Sequence, residues 1–359
     1  MENSLFEQRR EAIVAGLAAR KLDSLLVSLS PNLRYLSGFT GSNGALLITP
    51  GESVLFTDPR YEIQSDRETT CRIRISKGPV LLDVLTAIAR RRLRRIGYEP
   101  ARMTCDFYDS LESRLPAKAA LFPAGGWIEE LRMVKSPEEL TLIRRSVEVN
   151  SRAFEQTVAR LKPGMREQDL AAELEYRMRR LGAEKPSFET IVAGGANSAL
   201  PHAQPGAARL AAGLVVVDMG AMVDGYASDM TRMLHVGTPA PKVKRMYRAV
   251  LEAQLAAIDA VRPGARTAAV DGAARRVLKT YGFDQFFTHS TGHGLGLEIH
   301  EPPRLGKKDK LRLQSGMAIT IEPGVYLGGF GGIRIEDTVV VTNHGVEILT
   351  PTPKDLRVL

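Results

Sequence analysis

Cysteine is scarce in this sequence: 359 residues contain only Cys71 and Cys105. Two thiols do not make a disulfide framework, so a reducing, cytoplasmic compartment is expected. Long hydrophobic runs are also missing. No stretch reaches the roughly eighteen apolar residues that a membrane-spanning helix needs, and no membrane partner is expected. The N-terminal MENSLFEQRREAIVAGLAARKL carries charge throughout. It reads as an amphipathic helix and lacks the apolar centre of a secretory signal. What is present is ordinary: 44% hydrophobic and 25% charged residues, enough to build a core and too apolar for a disordered chain.

The net charge is +8, and the densest basic run is Arg90, Arg91, Arg92, Arg94 and Arg95. It follows apolar residues at helical spacing (Leu81, Leu82, Val84, Leu85, Ile88), so it reads as a solvated helix C-terminus, where cations suit the helix dipole. No nucleic-acid-binding motif accompanies it, and no nucleic-acid partner is expected. The Lys307–Lys310 run reads as a surface turn.

The first ~125 residues alternate helix-like segments (5–20, 79–93, 104–114) with strand-like ones (Leu25–Val27, Ala45–Thr49, Val54–Thr57, Ile96–Tyr98), the pattern of an α/β layer. Pro123–Gly126 reads as a linker, with the single tryptophan, Trp127, just after it. Near residue 135 a new domain opens: Ser136-Pro137-Glu138-Glu139 has the N-cap, first-turn proline and reciprocal glutamate of a capping box. Within this part Leu161-Lys-Pro-Gly-Met-Arg166 is echoed 100 residues on by Val261-Arg-Pro-Gly-Ala-Arg266. Each copy sits between two helical patterns and is followed by a strand pair, which points to an internal duplication.

The duplication gives the acids their meaning. Asp218 ends the apolar run Val215-Val-Val, and Asp229 follows; Glu322 ends Ile319-Thr-Ile, and Glu336 follows. A pseudo-two-fold would bring these four carboxylates to one point. They would repel strongly and hold protons unless cations sat among them. Oxygen-rich ligation suits Mn²⁺, Co²⁺ or Mg²⁺ better than structural zinc. His289, His293 and His300 lie in the glycine-rich His289-Ser-Thr-Gly-His293-Gly-Leu-Gly-Leu-Glu-Ile-His300, and His202 follows Leu200-Pro201. The glycines around His293 would let backbone approach a ligand closely. His289 is left open between a ligand and an ordinary polar residue; His235 and His344 read as incidental. Gly41–Gly44 and Gly328–Gly332 match no phosphate-binding loop and read as turns.

The segments VVDMG, GYASDMTR, STGHGLGLEIHE, ITIEPG and GIRIED, in this order, resemble the proline-specific metallopeptidases of the pita-bread fold, the group of aminopeptidase P and prolidase. The resemblance covers about residues 130–359. NLRYLSGFTGSNGALLIT and TDPRY resemble the creatinase-like N-terminal domain of that group. It implies an α/β creatinase-like domain over 1–126, then an α+β pita-bread catalytic domain over 127–359 with an internal pseudo-two-fold repeat. It also implies two divalent metal ions, Mn²⁺ first with Co²⁺ or Zn²⁺ as alternatives, on Asp218, Asp229, His293, Glu322 and Glu336. Glu322 would double as proton shuttle, His202 and His300 would steady the carbonyl and oxyanion, and Arg334 would orient the carboxylates. Tyr326 is a weaker candidate beside the site.

The implied reaction is hydrolysis of Xaa-Pro peptide bonds in short proline-containing peptides, by a homodimer. Arg304, in His300-Glu-Pro-Pro-Arg304, resembles an arginine that prolidases place to hold the free carboxylate of a dipeptide. This tilts the reading to Xaa-Pro dipeptidase, with aminopeptidase P as the alternative. A metal-free creatinase-like enzyme and a non-catalytic relative are disfavoured, because all five expected ligands are present. Methionine aminopeptidases lack a comparable N-terminal domain.

Overall fold

The computed structural model describes residues 2–101, 103–162 and 164–359; Met1 of the N-terminal reading and Pro163 of the first Pro-Gly turn lie outside the described residues. The chain divides into two compact units between Arg132 and Met133. In the first unit, apolar segments form strands β1 (Ser24–Val27), β2 (Gly44–Ile48) and β3 (Ser53–Thr57), joined by β4 (Arg72–Ile75), β5 (Arg95–Tyr98) and β6 (Ala120–Pro123). They make a mixed sheet in the order β4-β3-β2-β1-β5-β6, with β1 antiparallel to β2 and parallel to β5. Helices α1 (Glu2–Leu17), α2 (Ser30–Ser37), α3 (Glu62–Glu68), α4 (Val80–Arg90) and α5 (Cys105–Glu112) complete the α/β layer, and α6 (Trp127–Met133) lies at the division. The amphipathic stripe of α4 buries Val84, Leu85 and Ile88 with Leu26, Leu47 and Phe56 of the sheet.

Several details depart from the sequence reading, which also left α2, α3 and β6 unassigned and read Pro123, the last residue of β6, as linker. Helix α1 ends at Leu17, short of 20, because Lys21 takes a left-handed φ of 54° and the Leu22 N–H returns to the Leu17 carbonyl. Helix α4 stops at Arg90, and Arg92 is left-handed, so the arginine run leaves the helix and enters β5. Arg91 does not simply face solvent; it pairs with Glu52, which also takes Arg72 at 3.3 Å. Strand β4 was not foreseen, because its Arg-Ile-Arg-Ile alternation is that of a charged edge strand rather than an apolar run.

The second unit opens with the capping box that its sequence predicts. Ser136 Oγ accepts from the Glu139 N–H at 3.3 Å, and the Glu139 carboxylate accepts from the Ser136 N–H at 3.0 Å. The long helix α7 (Pro137–Val158) follows, then α8 (Glu167–Arg180), β7 (Lys185–Pro186), β8 (Ile191–Gly194), β9 (Gly213–Met219), β10 (Ala221–Val223), β11 (Tyr226–Ala227) and β12 (Met230–Val236). The second half runs α9 (Pro241–Asp259), α10 (Thr267–Thr280), β13 (Gly292–Gly294), β14 (Glu301–Leu305), β15 (Ala318–Ile321), β16 (Gly324–Leu327), β17 (Gly331–Arg334), β18 (Asp337–Val341), β19 (Val346–Ile348) and β20 (Arg357–Val358).

The two halves repeat in atomic detail. Gly164 and Gly264 both have φ of 79°, and each carbonyl accepts from an arginine, Arg209 at 2.6 Å and Arg312 at 2.7 Å. Arg166 bridges Arg209 as Arg266 bridges Arg312. Two sheets carry the site: β20-β12-β9-β8 and β14-β13-β15-β18-β19. Strand β9 explains its own continuous apolar run. Val215 and Val217 bury with Phe154 and Leu170 of α7 and α8, whereas Leu214 and Val216 bury with Val250 and Val270 of α9 and α10. Both faces of the strand are covered, so neither can be polar.

The glycines flanking His293 serve close strand packing, a reason the sequence reading did not give. A Cβ on Gly292 would lie 1.9 Å from the Thr320 carbonyl oxygen of β15, and one on Gly294 would lie 2.2 Å from the Pro302 oxygen of β14. Both obstacles are backbone, so neither can swing aside. Gly292→Ala is therefore expected to destabilise the protein by about 1–3 kcal/mol, the range for overpacking, as read by urea unfolding. A change below about 0.5 kcal/mol, the range of an ordinary surface substitution, would show that β13 does not depend on this close approach.

Candidate metal centre

Strand ends deliver the acids. Asp218 lies on β9 opposite Thr231 of β12, and Asp229 directly precedes β12. Glu322 directly follows β15, and Glu336 sits between β17 and β18. His293 comes from β13, which pairs with both β14 and β15. Asp229, His293 and Glu336 offer ligand atoms that all lie within 4.8 Å of one another. His293 Nε2 is also 3.4 Å from Glu322 Oε1 and 3.6 Å from Asp229 Oδ2. Asp218 joins through Arg334, whose Nη2 donates to its Oδ2 at 2.6 Å. All five sequence-predicted ligands thus line one cavity of about 810 Å³.

The donor set fits divalent cations. Asp218 Oδ1 and Glu336 Oε1 are buried without a hydrogen-bond donor from the protein. The Gly294 carbonyl can only accept, so at 3.0 Å it fixes the proton of His293 on Nδ1 and leaves the Nε2 lone pair facing the carboxylates. Burial holds this imidazole neutral, down to about 4. The Asp229 carboxyl is pushed well above the usual carboxylate range by burial and then by Glu336, Asp218 and Glu322. Glu336 is raised likewise by burial, Glu322 and Asp218. Glu322 is pushed up to about 8 by burial; Arg334 opposes that shift and Asp218 adds to it. Lone pairs aimed at lone pairs, with protons forced onto acids, are what a cation at the centre would relieve.

Arg334 organises the surroundings from a buried position. Besides Asp218, its Nε donates to Thr231 Oγ1 at 3.0 Å, and Thr231 in turn donates to Glu336 Oε2 at 2.8 Å. Its Nη1 donates to the Tyr326 hydroxyl at 2.7 Å, and that hydroxyl lies 3.0 Å from His289 Nε2. The Ser290 carbonyl holds the His289 proton on Nδ1, so Tyr326 donates and His289 accepts. Burial keeps His289 neutral, down to about 4, and pushes the Tyr326 hydroxyl up to about 12. His202, His300 and Arg304 are exposed side chains on the same cavity wall, and the His300 ring meets the His293 ring edge-on at 4.4 Å.

His289, left open in the sequence, belongs to this cluster. Thr231 was missed altogether; its only sequence signal is that it lies two residues after Asp229 on a strand facing Asp218. The two histidines read as incidental lie elsewhere: His235 bonds to the Gly237 carbonyl at 2.7 Å, and His344 is exposed in a turn.

Comparison with known proteins agrees with this geometry. Residues 141–343 match the model of metallopeptidase family M24, and residues 9–134 match the creatinase/prolidase N-terminal domain. A Pyrococcus horikoshii protein named Xaa-Pro dipeptidase is 35% identical over 353 residues, covering 98% of this chain and 99% of the relative. Among solved structures, an Xaa-Pro dipeptidase from Bacillus anthracis superimposes with a TM-score of 0.96 at 34% identity, covering 99% of this chain and 100% of that one. An X-Pro aminopeptidase from Thermotoga maritima gives 0.91 at 34% identity, covering 98% and 100%. With a family model matching more than half of its length and relatives spanning nearly all of it, the chain belongs to metallopeptidase family M24, as a pita-bread catalytic domain behind a creatinase-type N-terminal domain.

Proposed function

We propose that this protein is an Xaa-Pro dipeptidase that hydrolyses the bond before a C-terminal proline. The observation that carries the proposal is the convergence of four carboxylates and the unprotonated Nε2 of His293 in the wall of a cavity that also presents Arg304. Asp218, Asp229, His293, Glu322 and Glu336 would hold two divalent cations, Mn²⁺ first and Co²⁺ or Zn²⁺ as alternatives. When bound, the cations supply Lewis acidity, polarising the scissile carbonyl and acidifying water.

The chain's own residues supply the rest. Glu322 takes a proton from the attacking water and delivers it to the proline nitrogen. That nitrogen carries no hydrogen in the peptide and leaves only as a protonated amine. His202 and His300, exposed in the cavity, donate to the carbonyl oxygen and to the negative charge that grows on it. Arg334 fixes Asp218 directly and Glu336 through Thr231, and Tyr326 braces Arg334. Arg304 meets the free carboxylate that follows proline in a dipeptide.

The relatives named Xaa-Pro dipeptidase favour this reading over aminopeptidase P, which the Thermotoga structure keeps as the alternative. A metal-free creatinase-like reaction would leave the four carboxylates with Arg334 as the one cation described among them. We extend the family likeness to a cytoplasmic homodimer. Among the described residues no helix is long and apolar enough to cross a membrane.

Three outcomes are expected. Chelation abolishes cleavage and Mn²⁺ restores it, with Xaa-Pro cleaved faster than Xaa-Pro-Xaa in a direct peptide assay. Faster cleavage of the longer peptide would instead make the protein an aminopeptidase P, and cleavage of neither with metal bound would remove the Xaa-Pro reading. Arg304→Ala raises KM for the dipeptide roughly tenfold or more, the size of a lost charge-assisted hydrogen bond, and leaves the tripeptide within about twofold. Equal effects on both peptides would return Arg304 to a surface role.

The third outcome concerns pH. The folded-state value of Glu322, about 8, lies above its ordinary 4.5, so ionising it imposes a folding penalty that is absent below 4.5, grows as pH rises and is complete above about 8. Chelated Glu322→Gln is therefore expected to melt above chelated wild type, with a gap that opens as pH rises across that window. Added Mn²⁺ reverses the order. A gap that stays constant with pH would mean that Glu322 does not carry the raised value.

A further inference from the structure

The segment that opens the catalytic unit bears on the cavity wall in a way the reaction scheme does not use. Val134 bridges Met317, and the Lys135 N–H donates to the Gly316 carbonyl at 2.9 Å. The Lys135 side chain then turns inward. Its ammonium lies 3.3 Å from Glu301 Oε2 and 3.4 Å from the Met133 carbonyl, with only 1% of the lysine and 2% of the glutamate side chain exposed. A dry ion pair is expensive to form and more expensive to break, because removing one partner strands the other in low dielectric. Such a pair can hold a chain segment in one place only.

What it holds is the segment bearing His300 and Arg304. Along β14 burial alternates: Glu301, Pro303 and Leu305 are buried, while Pro302 and Arg304 are exposed. Period two therefore turns the buried Glu301 side chain to the opposite face of the strand from Pro302 and Arg304, and all three residues contribute to the cavity lining. The same carboxylate also organises the turn before the strand. Glu301 Oε1 accepts from the Glu298 N–H at 2.9 Å, and the Glu298 carbonyl accepts from the Gly296 N–H at 3.0 Å. The carboxylate lies close against Gly296, where a Cβ would come within 2.9 Å of Glu301 Oε1. His300 sits between this turn and the strand, with its ring against His293.

We infer that Lys135 is a positioning residue: through its buried pair with Glu301 it sets the wall formed by His300, Pro302 and Arg304, and hence the fit of the substrate. It touches neither the carboxylate cluster nor the cavity. Losing it should loosen substrate binding while the proposed metal ligands stay in place. The kinetic arm of this inference rests on the Xaa-Pro reading above; the spectroscopic arm does not.

The test uses the full-length protein and two variants. Lys135→Met removes the charge and keeps most of the side chain's length. The double variant K135M/E301Q removes both charges, so no lone ion is left buried. Three quantities are read: metal stoichiometry, KM and kcat for an Xaa-Pro dipeptide, and the imidazole ¹H–¹⁵N signals of the Zn²⁺-loaded protein. With six histidines the spectrum is small enough to assign by substitution. In Lys135→Met we expect full metal loading, a rise of roughly tenfold in KM and a fall in kcat below about threefold. The His300 signal should move while those of His235 and His344 stay. In the double variant we expect a melting temperature near wild type with KM still raised several-fold and the His300 signal still displaced. If Lys135→Met fails to fold, the double variant decides alone. A lowered melting temperature with wild-type KM and an unmoved His300 signal would reduce the pair to a structural role and overturn the inference. Should wild type cleave no Xaa-Pro peptide, the substrate reading fails, and an unmoved His300 signal would still overturn the positioning role.

Discussion

Repulsion among four carboxylates is the constraint around which the catalytic unit is built. Asp218, Asp229 and Glu336 are buried, and Glu322 is close enough to raise the proton affinity of Asp229 and Glu336. One guanidinium, that of Arg334, cannot balance them. Charges of like sign at such range in low dielectric either hold protons or demand cations. The arrangement therefore makes sense as a cradle for divalent ions, and it is costly as anything else. The neutral, fixed tautomer of His293 adds a nitrogen donor without adding charge of the wrong sign.

Holding like charges together requires a rigid frame, and the duplicated sheets provide it. Strand β9 is clamped between two helix pairs through alternate valines, so Asp218 at its end has little freedom. Gly292 lets β13 lie close against β15, which sets the backbone from which His293 projects. Behind the front row stands a second set of directional polar links, the buried Arg334–Thr231–Glu336 and Arg334–Tyr326 and the part-buried Tyr326–His289. Hydrogen bonds in such surroundings are strong when complete and costly when broken, which suits a site that must not relax as it reacts.

Much of this was legible before any coordinates. The capping box at Ser136, the apolar strands ending in acids and the Pro-Gly repeat are local patterns whose physics acts over a few residues. The creatinase-like unit was legible as an α/β layer, although β4 was hidden by its arginines and the ends of α1 and α4 were set by left-handed residues. The glycines of the His293 segment were singled out for close approach, and the neighbours they admit include the flanking strands, which the sequence did not reveal.

By itself, then, the sequence determined which side chains could do chemistry and on which kind of element each would sit, because periodicity, capping and strand ends are written in near neighbours. Tertiary structure alone decided how those side chains meet. Arg334 reaches Asp218 across 116 residues of chain, Thr231 reaches Glu336 across 105, and Lys135 reaches Glu301 across 166. No local pattern encodes such partnerships. They arise because burial strips water from each polar group and leaves only whatever the fold brings near to satisfy it. The same rule made His289 an acceptor for Tyr326, a role its own neighbours in sequence did not reveal.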